Sequence, residues 1–413
     1  MSEEQSTTGP LSGSGGARPL EGVRVVEMGS FIAGPFCGQL LADFGAEVIK
    51  VETPGAGDPM RGWGRHQKNG RSLWWPIIAR NKKSVTLNLR EQEGQEIARE
   101  LISRADVVLE NFRPGTMERW GLGYEELKRS NPGLVMIRVS GYGQSGPYRD
   151  QAGFGSIGEA MGGIRHITGY PDQPPPRPGI SLGDSLAATF GALGALTALY
   201  HRDAHGGEGQ IVDVGIYEAV MAMMESTIPE YALAGHLRGR TGSILPGIAP
   251  SNIYPTSEGD YILIGANADN VFGRFAEAIG HPEWAEDERY ATHSARGERQ
   301  TELDDKISAW TAEHTGEEIV EAMREAGVPA GKLYTAADMV SDPHYAERES
   351  ITTVEDPEIG EVPMQNVVPR LTETPGEVRW TGPALGEHNE EVYGGVLGVE
   401  EKQRTELRER GVI

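Results

Sequence analysis

Cysteine is almost missing from this chain: 413 residues contain one, Cys37. A single thiol excludes an intrachain disulfide and any cysteine-built metal cluster. Its place in the apolar run Phe36-Cys37-Gly38-Gln39-Leu40-Leu41 reads as a buried helix position rather than a nucleophile. Lysine is scarce as well. Of 38 basic residues only eight are lysines, leaving thirty arginines, against 61 acidic residues and a formal net charge of −23. That balance argues against nucleic-acid binding, because a phosphate backbone needs clustered cations. An acidic, lysine-poor surface fits a halophilic protein, soluble where salt screens most of the self-repulsion; the plainer alternative is an acidic protein from an arginine-rich proteome. The longest apolar runs, such as Ala187–Leu199, fall short of the roughly 18 residues of a membrane span. No charged start leading into an apolar stretch marks a signal peptide. The expectation is a soluble cytoplasmic protein without membrane association.

Glycine is plentiful, at 56 residues without a triplet period, and 38% of the chain is hydrophobic, enough for a real core. The length exceeds the roughly 100–200 residues of one domain, so two are expected. Residues 1–19 are polar and Gly/Ser-rich and read as a flexible tail. Order begins at the β-branched run Val23–Met28, followed by a loop, a helix over about Pro35–Gly45 and a strand Glu47–Glu52. The alternation continues with strands at Ser84–Leu89, Asp106–Glu110, Leu134–Val139 and Gln210–Val214. Helices are expected over Glu91–Ala105, around Pro114–Ser130, and from Asp184 to about His201. Strands alternating with helices predict a doubly wound, Rossmann-like α/β domain over 20–224. A hairpin around Ser257–Asp260 and short helices predict a smaller α+β domain over 225–325. Residues 326–413 return to the large domain, with a strand near Lys332–Tyr334 and a closing helix Glu400–Arg410.

Several formal motifs stand in the wrong context. The opening βαβ unit lacks the glycine fingerprint that lets backbone approach a pyrophosphate, although Glu52 ends its second strand. Gly153-Phe154-Gly155-Ser156-Ile157-Gly158 has the dinucleotide spacing but follows a loop, so NAD or FAD binding is not expected. Gly179-Ile180-Ser181-Leu182-Gly183 has the hydrolase spacing, yet Pro174-Pro175-Pro176-Arg177-Pro178 precedes it where a nucleophile elbow needs a strand. His201 and His205 stand four apart with no third ligand suggested nearby, so no metal site is expected. Asp184, straight before the apolar helix Leu186–Tyr200, reads as an N-cap. The same place keeps a carboxylate ionised, and an ionised carboxylate is a competent nucleophile toward an activated acyl group. Spacing alone leaves both readings open.

Taken together, the segments resemble the class III CoA-transferase family. The likeness rests on Leu20-Glu21-Gly22, Ala33-Gly34-Pro35, Gly45–Glu52, Asn81-Lys82-Lys83-Ser84, Glu110–Gly115 and Leu182-Gly183-Asp184. It continues through Gly327–Gly331, Asp342-Pro343-His344, Gly386-Glu387-His388 and Gly411-Val412-Ile413. The resemblance implies an enzyme in which Asp184 attacks an acyl-CoA thioester and passes through an aspartyl–CoA thioester. CoA is then substrate, with no prosthetic group. It implies CoA contacts from Ile32, Ala33, Leu87, Arg90, Asn111, Phe112 and Arg119. Thr53 holds a position that is often basic in the family, and only Gly242 and Gly247 remain of a glycine-run loop typical of formyl-CoA transferases. A racemase of the same family needs a His-Asp pair where this chain has Phe154 and Gly155, so that activity is not expected; a non-catalytic CoA-binding protein requires Asp184 to be only a cap. The segment Gly155–Gly169 with Pro174–Arg177 looks like members that use succinyl-CoA with mesaconate, citramalate or a similar dicarboxylate. Arg165, His166 and Arg177 are then candidates for the second carboxylate. The resemblance further implies an interlocked homodimer.

Overall fold

The computed structural model describes residues 18–413, so all but the end of the expected tail at 1–19 lies outside the described residues. Six parallel strands form the main sheet: β1 Arg24–Glu27, β2 Glu47–Glu52, β3 Lys82–Thr86, β4 Val107–Glu110, β5 Val135–Ser140 and β6 Ile211–Gly215. Their spatial order is β3-β2-β1-β4-β5-β6. The doubly wound expectation therefore holds, with the order reversing between β1 and β4. The strands carry apolar residues at successive positions because both faces are covered. Val25, Val48, Val107 and Val135 face one core, and their neighbours Val26, Ile49, Val108 and Met136 face the other.

Six helices cover this sheet or border its carboxyl end: α1 Ala33–Asp43, α2 Gln92–Ser103, α3 Tyr124–Ser130, α4 Gly155–Met161, α5 Leu182–His205 and α6 Ile216–Met221. Helices α1 and α5 cover one face, with Cys37 buried against Gly191 as expected. Burial pushes the Cys37 thiol up to about 12, which suits packing and not nucleophilic attack. Helices α2 and α3 cover the other face together with Val392, Tyr393, Leu407 and Ile413 from the returning chain. Helix α5 runs four residues past the expected end. By length and composition it is apolar enough to cross a membrane, yet Ala187, Ala188, Gly191, Ala192 and Ala195 are buried along one face. Small residues on that stripe let it lie close to the sheet.

One of the family-like segments, around His388, closes the edge of the sheet at β3. His388 exchanges backbone and ring hydrogen bonds with Ser84, and Asn389 takes the Thr86 N–H at 2.9 Å. An edge strand left open is a template for aggregation, and this segment covers it. Asn81 adopts a left-handed conformation (φ 61°) and donates to the Asp43 carboxylate and the Glu377 carbonyl.

The chain divides into two compact units. The first holds the residues up to Ile164, Pro178–Glu225 and Ala346–Ile413; the second holds Arg165–Arg177 and Ser226–Tyr345. The second unit is α+β, built on the antiparallel sheet β9-β8-β7 (β7 Ser251–Pro255, β8 Tyr261–Gly265, β9 Ala330–Lys332). Tyr254, Ile264, Phe272, Phe275, Leu303 and Met323 fill its core. It extends to Tyr345 rather than to the expected 325, because β9 pairs with β8 and keeps the following residues with this unit. That strand also sits two residues earlier than expected, with Ile262 opposite Lys332. Residues 165–177 join the unit through Gly242, whose N–H donates to the Gly169 carbonyl at 2.9 Å. Arg240 adds bonds to the carbonyls of Tyr170 and Pro171.

Candidate active site

In an open parallel sheet, ligands settle beyond the carboxyl ends of the strands at the point where the order reverses. A cavity of about 450 Å³ lies there. Gly29 and Ser30 line it after β1, Glu52 and Thr53 at the end of β2, Leu87–Arg90 after β3, and Phe112 and Trp120 after β4. Phe112 and Trp120 meet edge to face, with centroids 5.2 Å apart, an arrangement that offers an aromatic wall to a base or other flat group.

Glu52 occupies the position from which dinucleotide enzymes hold a ribose. Here it is used up. Arg61 grips it with two bonds of 2.7 Å, Ser84 donates at 2.6 Å and the Asp58 N–H at 2.9 Å. Burial opposes its charge, but Arg61, Lys50 and Ser84 outweigh that and hold its carboxyl below the usual range. Behind it, buried Lys50 contacts Glu27 at 2.9 Å and Asp58 at 2.8 Å, while buried Lys82 contacts Glu27 at 2.8 Å. The floor is thus a closed set of three cations and three carboxylates, and each buried charge is paired.

The residues expected to contact CoA fall into different places. Leu87, Arg90 and Phe112 line the cavity, and so does Thr53 where a basic residue is usual. Asn111 is turned toward the backbone of the first loop. Its side-chain oxygen accepts from the Ser30 N–H at 2.9 Å and its nitrogen donates to the Ser30 carbonyl at 2.8 Å. Gly29 and Gly34 pack against the same amide, close enough that a Cβ on Gly29 lies 2.9 Å from its oxygen. Ala33 is buried in the α1 core, and half-buried Ile32 packs with Met60, Trp75 and Ile78. Arg119 is exposed, bonded to Thr116 at 2.8 Å and next to Trp120. Asn88, Leu89, Trp120 and Asp58 also line the cavity and went unnoticed in the sequence. The rule of strand carboxyl ends reaches Asn88 and Leu89; Asp58 had only the Asp-Pro signature of a cap on the short turn Pro59–Gly62.

Asp184 does not stand at the cap of its helix. The N-cap of α5 is Ser181, which makes no side-chain capping bond, and Asp184 stands third in the helix. The Gly183 N–H goes instead to the buried Glu159 carboxylate of α4 at 3.2 Å. The Asp184 carboxylate lies against Gly155: a Cβ there falls 2.3 Å from Oδ2 and 2.8 Å from Cγ. The other glycines of that run serve packing too, Gly153 against Gly141 and Gly158 against Ile216 of α6. Gly155 therefore makes room for the Asp184 carboxylate. First-turn backbone N–H groups favour an ionised carboxylate at this place. Arg165, His166 and Arg177 lie on the 165–177 segment of the second unit, with Arg165 Nη1 donating to the Pro176 carbonyl at 3.4 Å. Asp184 belongs to the first unit.

The sheet order and the position of the cavity are those of an α/β fold that binds its ligand at the strand carboxyl ends. The chain matches CoA-transferase family III over residues 20–389 and belongs to that family. It is 65% identical over 396 residues to succinyl-CoA–D-citramalate CoA-transferase of Chloroflexus aurantiacus, covering 96% of this chain and 98% of the relative. The alpha subunit of succinyl-CoA–L-malate CoA-transferase from Chloroflexus aurantiacus is 42% identical, covering 96% and 92%. Among solved structures, a CaiB/BaiF family protein from Brucella suis superposes with a TM-score of 0.83 at 32% identity, covering 92% of this chain and all of that one.

Proposed function

We propose that this enzyme moves CoA from succinyl-CoA to a free dicarboxylic acid of the citramalate or mesaconate type. One observation carries the mechanism: Asp184 sits in the first turn of α5 with its helix's Gly183 N–H taken by Glu159. The 65% identical relative supports the choice of donor and acceptor.

An Asp184 oxygen attacks the thioester carbonyl, the C–S bond breaks, and an acyl–aspartyl anhydride forms with CoA thiolate beside it. The thiolate then attacks the Asp184 carbonyl and expels succinate, leaving an aspartyl–CoA thioester. The acceptor carboxylate attacks that thioester, and the returning thiolate attacks the acceptor's acyl carbon. New acyl-CoA leaves and the Asp184 carboxylate is restored, with no net proton transfer. Backbone N–H groups stabilise the oxyanions.

Leu87, Arg90 and Phe112 hold the CoA moiety from the cavity wall, Arg119 pairs with a CoA phosphate, and Ile32, Ala33 and Asn111 shape the loop that lies along it. Arg165, His166 and Arg177 take the acceptor's second carboxylate. Two such chains form a homodimer, a reading supported by the exposed Leu193, Leu196 and Tyr200 on one face of α5. The net charge of −23 supports work in a salty cytoplasm. Incubation with succinyl-CoA and a pool of dicarboxylates in high and low KCl, read by mass spectrometry, tests the reaction. A new acyl-CoA is expected from wild type and none from Asp184→Ala. Loss of the thioester without a new one means hydrolysis and overturns the proposal.

A further inference from the structure

The loop between β1 and α1 is pinned by two groups from distant parts of the chain. Asn111 holds Ser30 by both of its backbone polar atoms. The next residue, Phe31, stands in the left-handed region at φ 64°, a conformation that strains a bulky residue and persists only where its surroundings enforce it. The enforcing group is Asp58. Its Oδ1 accepts from the Phe31 N–H at 3.2 Å and from the Met60 N–H at 2.9 Å. Its Oδ2 lies 2.8 Å from Lys50, and its own N–H is held by Glu52.

One carboxylate therefore ties the loop to the 3-10 turn Pro59–Gly62, to the charged floor and to the end of β2. The two tied segments each carry an exposed aromatic ring, Phe31 and Trp63, which meet edge to face with centroids 5.6 Å apart. Gly29 and Ser30 of the same loop, and Asp58 itself, line the switch-point cavity.

We infer that Asp58 is a positioning residue for the acyl-CoA donor: it fixes the first βα loop and the Phe31–Trp63 pair in the shape that receives the thioester. The inference rests on the CoA-transferase reading above. Asp58 acts through Phe31, Met60 and Lys50 and takes no part in the covalent steps. Its loss therefore weakens capture of the donor more than the second half of the exchange, in which CoA is already tethered to Asp184.

The test is steady-state kinetics of Asp58→Ala and Asp58→Asn with both substrates varied, alongside thermal melting. In Asp58→Ala, kcat/KM for succinyl-CoA falls about tenfold or more, the scale of a lost charge-assisted bond, while kcat/KM for the acceptor acid stays within about twofold. Asp58→Asn keeps an acceptor oxygen and shows the same split at smaller size, and it carries the test if the alanine variant does not fold. A merely structural loss lowers the active fraction and reduces both constants together. Equal reductions, or an unchanged donor constant in folded protein, overturn the inference. A wild-type protein that transfers no CoA refutes the functional reading instead, so the two failures are separable.

Discussion

Replacing Gly155 with alanine probes the geometry around Asp184 with a single methyl group. The added Cβ lies 2.3 Å from Oδ2, 2.8 Å from Cγ and 3.1 Å from Oδ1 of Asp184, where ordinary contact begins at 3.4 Å. The carboxylate must retreat by about 1 Å, a misplacement that costs on the order of a hundredfold in rate when it moves a reacting atom. That is about 2.7 kcal/mol of transition-state stabilisation. The backbone itself accepts alanine, since Gly155 opens α4 and its φ is not in the left-handed region. Overpacking costs about 1–3 kcal/mol, and the reduced freedom of the unfolded chain returns about 0.4–1 kcal/mol, so the fold survives. The assay is initial-rate CoA transfer together with mass spectrometry of the Asp184 peptide for a CoA adduct. Gly155→Ala should lose about two orders of magnitude in kcat, with little adduct and a melting temperature near wild type. A folded variant with kcat within about threefold of wild type shows that Asp184 need not sit where the structure puts it.

Other changes separate chemistry from scaffold. Asp184→Asn keeps the helix start, which Ser181 and Glu159 define, and should abolish the covalent adduct while melting with wild type. Glu159→Ala strips the Gly183 N–H of its partner and should cost about 1 kcal/mol, the scale of a lost helix cap, visible as a lower urea midpoint. Glu110 is buried beside Arg138, and burial outweighs that attraction, which Arg138 shares with Glu118, so its carboxyl is pushed up to about 6. A carboxyl raised on folding binds its proton more tightly in the native state, so its contribution to stability falls as pH rises from about 4.5 to about 6. Wild type should accordingly lose about 2 kcal/mol relative to Glu110→Gln between pH 4 and 7 in urea titrations. A difference that does not change with pH refutes the assignment.

The alternation of β-branched runs with helical periods was enough to recover the sheet, because strands buried on both faces have continuous apolar runs at Val25-Val26 and Val107-Val108. Element ends slipped by two to four residues where tertiary pairing decides them, as at β9. Asp184 was visible as a carboxylate at a helix start, but not that Ser181 and not Asp184 takes the cap position. That answer depends on Glu159, 24 residues away from Gly183 in sequence. Asn111 carried a family-like signal and yet serves the loop backbone, a distinction that needs coordinates. Asp58 was passed over because its bond to Phe31 spans 27 residues, and its nearer partners Lys50 and Met60 do not by themselves mark it as shared with the first loop.

The division of the chain has a consequence for how specificity can be exchanged between relatives. The backbone enters the second unit twice, once for 165–177 and again for 226–345. Modularity here is discontinuous: a graft of 226–345 alone brings in Arg240 and Gly242 but leaves their carbonyl partners Tyr170, Pro171 and Gly169 to the recipient. Recombination at a single pair of crossovers therefore leaves two hydrogen-bonded segments with different ancestry, whereas point substitution within either segment does not. A chimaera that keeps this unit intact is accordingly expected to carry both inserts from one parent.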